Sequence, residues 1–99
     1  MRSIMQSDKT YCYICAMLYQ DFTEKKTEEH HCIFGVANRK LSERYGLKVY
    51  LCIDHHTLGK EAVHNNHDMA RLMQQRAQVA FENFYPELSF VNIFGQSFK

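Results

Sequence analysis

Apolar residues recur at three- and four-residue steps through one long stretch near the C-terminus. Met69, Leu72, Met73, Ala77, Ala80, Phe81 and Phe84 fall on a single stripe, which is the period of an amphipathic helix. Asn65 or Asn66 is placed to cap its start and Pro86 to stop it. Leu88, Val91 and Phe94 predict a last short helix ending at Gly95. The pattern upstream is shorter and more extended. Residues 47–51 (LKVYL) are β-rich and predict a strand, and a shorter one is expected over residues 29–34. Between them, residues 38–45 (NRKLSERY) read as a short helix or turn closed by Gly46. Residues 21–29 are charged and read as an exposed loop. Residues 11–15 read as a tight turn, and residues 52–56 as a turn leading into a helix. A strand–loop–strand–helix unit with helices behind it is an α+β fold.

Composition narrows the picture. Ninety-nine residues with 45% hydrophobic and 23% charged side chains make one small folded domain with a modest core. We divide it into a loosely ordered segment over residues 1–10, a core over 11–66 and C-terminal helices over 67–99. The formal charge of +1 excludes a strong overall basic field, so contact with a nucleic acid would depend on local patches. No apolar run approaches the ~20 residues of a membrane span. The polar opening segment lacks the apolar centre of an export signal. A reducing cytoplasm is the expected setting, and there four cysteines favour a metal over disulfides.

The chemistry is concentrated in cysteine and histidine. Cys12-x-x-Cys15 and Cys52-x-x-His55 are two clamps of the spacing that brings four side chains to one tetrahedral zinc. Cys32 lies outside both and reads as a small core residue. His30 and His31 end the first predicted strand, and His56 follows the second clamp. Bringing that strand end beside the start of the following helix would let His30 and His56 hold a divalent ion. His31 would then face a water. A base beside a cation stays neutral and able to accept a proton near pH 7, an arrangement suited to phosphodiester hydrolysis. His64 and His67 fall in a polar loop, with His64 a further candidate ligand.

The order Cys-x-x-Cys, His-His, then strand and Cys-x-x-His-His resembles the HNH endonucleases, also called ββα-metal or His-Me finger nucleases. The stretch EEHHCIFGVANRKLSERYGLKVYLCIDHH, continued by GKEAVHNN, is similar to small phage-encoded HNH-like proteins of the RecA-dependent nuclease type. The resemblance spans residues 11–66. It implies a zinc-stabilised ββα-metal, treble-clef-like core, with Cys12, Cys15, Cys52 and His55 on structural Zn²⁺. It implies His31 as the general base, and His30 and His56 as ligands of a catalytic Mg²⁺ or Mn²⁺, with Zn²⁺ or Ni²⁺ as substitutes. His55 and His56 are adjacent, and their roles could be exchanged. The family usually carries an asparagine in the second strand that orients the base. Gly46 and Leu47 occupy that region here, and Asn38 lies outside the usual spacing.

Arg39, Lys40, Arg44 and Lys48 form a basic segment directly after the His-His strand, suited to phosphate contacts that position DNA without reading sequence. Two functions follow. One is a metal-dependent endonuclease acting on DNA. The other is a non-catalytic zinc module that binds nucleic acid or a host or phage protein.

Overall fold

A computed structural model describes all of residues 1–99. Helix α1 (Tyr13–Tyr19) leads to strand β1 (Glu28–His31), helix α2 (Val36–Tyr45) and strand β2 (Lys48–Leu51). A single π-helical turn (Asp54–Leu58) follows, then the long helix α3 (His67–Phe84) and the short α4 (Phe90–Phe94). The fold is small and α+β.

The two strands pair antiparallel, with Glu28 opposite Leu51, Glu29 opposite Tyr50, His30 opposite Val49 and His31 opposite Lys48. Side chains alternate across a strand, and residues directly opposite share a face. Glu28 and His30 therefore lie on one face with Val49 and Leu51. Glu29 and His31 lie on the other with Lys48 and Tyr50. That division decides what each histidine meets.

Helix α2 runs from residue 36 and ends where expected, with Gly46 in the left-handed region at φ 74°. Its buried Ser42 accepts from the Ile33 N–H (3.2 Å) and donates to the Ile33 carbonyl (2.7 Å), fastening the helix to the chain leaving β1. Asn66 caps α3 by accepting from the Met69 N–H at 3.0 Å. Met69, Met73, Ala77 and Phe81 line the core as the stripe predicts, whereas Phe84 is 58% exposed. Rings from beyond the helix complete the core. Phe90 and Phe94 close on Phe81 at 5.5 and 6.0 Å, and Phe98 meets Phe90 at 6.1 Å.

Three expectations change. Residues 13–19 are a helix, because Cys12 caps them: its sulfur accepts from the Cys15 N–H at 3.4 Å. A metal clamp and a helix start thus share residues, and apolar spacing alone does not show it. After β2 the chain makes one π turn instead of a lasting helix, closed by the Gly59 N–H on the Asp54 carbonyl at 2.8 Å. Residues 1–10 are also tied into the fold. The Ile4 N–H donates to the Gly46 carbonyl at 2.9 Å. Buried Gln6 accepts from the Tyr50 N–H (2.8 Å) and donates to the Asp8 and Tyr11 carbonyls (2.8 and 2.9 Å). No helix is long and apolar enough to cross a membrane.

A Cβ on Gly46 would run into the Arg2 carbonyl and press on Ile4, while a Cβ on Gly95 meets nothing within 4 Å. Both glycines have positive φ. Gly95→Ala should therefore cost only the left-handed strain, about 1–2 kcal/mol. Gly46→Ala adds the backbone collision and should cost about 3 kcal/mol or more. Urea unfolding of the two variants checks the order.

Candidate metal centres

The first centre is assembled from three places in the chain. Cys12 and Cys15 sit at the start of α1, Cys52 follows β2, and the π turn supplies His55. The turn is wound on Cys52, whose carbonyl accepts from the His55 and His56 N–H groups at 3.1 and 2.9 Å. His55 Nδ1 lies 3.6, 3.3 and 3.4 Å from the sulfurs of Cys12, Cys15 and Cys52. Cys15 and Cys52 sulfurs are 3.9 Å apart. With Zn–S of about 2.3 Å and Zn–N of about 2.0–2.1 Å, adjacent tetrahedral corners lie about 3.8 Å apart for two sulfurs and about 3.5 Å for sulfur and nitrogen. The four donors fit zinc.

Crowding governs the protonation of the cluster. Burial, the neighbouring Cys12 thiol and then Cys52 hold the Cys15 thiol up at about 12, with the Lys25 ammonium pulling against them. Crowded, buried thiols resist ionisation alone, and a divalent cation at their centre reverses that resistance. Cys32 is not part of the centre. It is fully buried, its sulfur 3.8 Å from Met5 Sδ, and burial pushes it to about 12.

The second centre is made of imidazoles. His30, His56 and His64 each offer a ring nitrogen, and these lie within 4.8 Å of one another. His30 comes from β1 and is 5% exposed, and its Nε2 is buried without a hydrogen-bond partner. His56 comes from the π turn, with Nδ1 2.9 Å from Glu28 Oε1. A carboxylate only accepts, so Nδ1 carries the proton and Nε2 is left with its lone pair. That Nε2 lies 3.2 Å from His64 Nε2, matching the ~3.3 Å between adjacent nitrogens of a tetrahedral zinc. The Val63 and His64 N–H groups donate to the His55 and His56 carbonyls at 2.9 and 3.3 Å, which folds His64 back over the turn.

Burial, followed by the neighbouring imidazoles of His56, His64 and His31, holds His30 down at about 3. His64 is lowered by burial and by His56. Neutral imidazoles are the form a metal binds. A buried nitrogen with no partner is costly unless something occupies it. A divalent ion fits.

His31 does not join these three. Its Nε2 is 2.9 Å from Glu43 Oε1 and 3.6 Å from Glu29 Oε1, on the opposite face of β1. It still lines the same cavity of about 260 Å³ as His30, His56 and His64, with Phe34 and Arg39 on the rim. Among the basic residues, Arg39, Lys40 and Arg44 are exposed on α2, and Arg44 lies over the Tyr45 ring at 5.7 Å. Lys48 differs from its expected role as a phosphate contact. It is 5% exposed, with its ammonium 3.0 Å from Glu43 and 3.2 Å from Glu29. Asn38 is half-buried on α2. An apolar cavity of about 410 Å³ between the N-terminal segment and α3 contains no metal-binding or nucleophilic cluster.

Glu28 and Glu43 escape a reading of the sequence, and His64 enters it only as a spare ligand. Glu28 could have been found from strand alternation, since it shares a face with His30. Glu43 and His64 are brought in by the turn of α2 and the fold-back of the π turn, which have no local signature. Comparison with protein-family models, with curated proteins and with solved structures gives no match.

The geometry predicts different fates for adjacent histidines. His55→Ala, like Cys12→Ser and Cys52→Ser, should lose zinc and much of the helical circular dichroism. His56→Ala should keep one zinc per chain and the fold. Elemental analysis and far-ultraviolet spectra of the four variants test this.

Proposed function

We propose that the chain is a zinc-stabilised, metal-dependent endonuclease that hydrolyses DNA phosphodiester bonds. The observation that carries this reading is the buried, partnerless Nε2 of His30, set among two more imidazoles beside His31. A structural zinc needs none of these four residues. The resemblance of the Cys-x-x-Cys, His-His, Cys-x-x-His-His order to HNH endonucleases supports it.

In this reading His30, His56 and His64 hold the divalent ion. Three imidazoles suit Zn²⁺ or Ni²⁺ better than Mg²⁺, which prefers oxygen ligands. When bound, such an ion stabilises charge on the phosphate and on the departing oxygen. The residues do the rest. His31 takes a proton from water, whose oxygen attacks phosphorus while the bond to the leaving sugar oxygen breaks. Glu28 holds His56 in the tautomer that leaves Nε2 free to bind. Arg39, on the cavity rim, is placed to pair with a phosphate oxygen, and Lys40 and Arg44 extend that contact along α2. Lys48 makes no phosphate contact in this reading, because its charge is already paired with Glu29 and Glu43.

A second reading has its own support. With Lys48 withdrawn and a net charge of +1, electrostatic grip on DNA is modest. A non-catalytic zinc module that binds nucleic acid or a host or phage protein would need no more.

Plasmid nicking assays with Mg²⁺, Mn²⁺, Ni²⁺ or Zn²⁺ decide between them. The parent should cut. His31→Ala should fall by about 10²–10⁴-fold while keeping its zinc and its circular dichroism. A parent that cuts with none of the four ions establishes the binding module instead.

A further inference from the structure

His31 is held from α2. Glu43 places Oε1 2.9 Å from His31 Nε2. Its two oxygens also take the Lys48 ammonium at 3.0 Å each, and Oε2 takes the Met1 amino group at 2.8 Å. The carboxyl is held down at about 2 by the Met1 amino group, His31 and Lys48. An ionised carboxylate can only accept, so the proton of a neutral His31 belongs on Nε2 and the lone pair on Nδ1. The imidazole is only 10% exposed, which leaves water little part in orienting it. The other nearby carboxylate, Glu29, is 3.6 Å away and beyond good hydrogen-bond length. Lys48 meanwhile keeps a second counter-ion in Glu29, so neutralising Lys48 does not by itself require Glu43.

We propose that Glu43 is the positioning residue of His31, fixing its Nε2–H tautomer and ring orientation so that Nδ1 is the proton-accepting nitrogen. This rests on the nuclease reading for its purpose, but the tautomer can be observed without any cleavage. Glu43 touches neither the scissile phosphate nor the ion site in this scheme. It acts through His31, as a carboxylate behind an imidazole does in other hydrolytic sites. Lys48 holds the carboxylate in turn, 3.0 Å from each of its oxygens.

The test uses the zinc-loaded full chain and two variants, Glu43→Ala and Glu43→Gln. Glutamine keeps an oxygen that can accept from His31 but loses the charge that pairs with Lys48. Long-range ¹H–¹⁵N spectra at about pH 8, above the ordinary imidazole range, report which nitrogen of His31 carries the proton. The expected result is Nε2–H in the parent and in Glu43→Gln, and a mixture of tautomers in Glu43→Ala. Cleavage by Glu43→Ala should show kcat reduced about ten- to a hundredfold with KM for DNA unchanged, and Glu43→Gln should recover most of it. Nδ1–H in the parent, or an unaltered tautomer in Glu43→Ala, overturns the proposal. So does a kcat loss that Glu43→Gln fails to repair, since that marks Glu43 as no more than a partner for Lys48. A parent that does not cut DNA but shows the expected tautomers overturns the nuclease reading and leaves the positioning of His31 standing.

Discussion

The four-donor cluster of Cys12, Cys15, Cys52 and His55 is the constraint on which the remaining geometry depends. It joins the first turn of α1 to the end of β2 and to the π turn that follows. A two-stranded sheet is marginal by itself in water, and a domain of this size has only a modest core. Zinc bound by small cysteine–histidine modules is worth about 10–16 kcal/mol at neutral pH, against a whole-domain stability of about 5–15 kcal/mol. His56 is the next residue after His55, so whatever fixes His55 also sets where His56 begins. Its carbonyl then receives the His64 N–H. The imidazole cluster is built outward from the cysteine cluster, one peptide at a time.

Much of this was readable from residue order. The two clamps have a spacing that short-range geometry enforces, and the structure brings all four donors together. The long helix, its Asn66 cap and the Gly46 and Gly95 stops followed from period and from the conformational freedom of glycine. Helix α1 was hidden because its cap is a cysteine, whose place in a Cys-x-x-Cys clamp masks its capping role. The π turn was hidden because it is held by backbone bonds to Cys52, Gly59, Val63 and His64, which leave no apolar period in the sequence. The order of the N-terminal segment comes from side-chain bonds of Ser3 and Gln6 to β2, which no periodicity records.

The pair His30–His31 shows how one strand serves two environments. Alternation sends His30 toward the π turn and His31 toward α2, so neighbours in sequence acquire opposite surroundings. Each face also brings a carboxylate: Glu28 to His56 and Glu43 to His31. In both pairs the acid occupies one ring nitrogen and leaves the other with its lone pair. One imidazole is buried and without a polar partner, and the other is only slightly exposed and firmly bonded.

The attachment of residues 3–6 to β2 has a bearing on self-association. A strand with a bare flank is a template on which a second chain can hydrogen-bond. Here the Ser3 hydroxyl occupies the Lys48 carbonyl and the Gln6 amide oxygen occupies the Tyr50 N–H. A polar segment from the chain's own start thus fills the slots that an intruding strand would use on that flank. A second chain pairing along the β2 backbone on that flank would first have to displace these two hydrogen bonds.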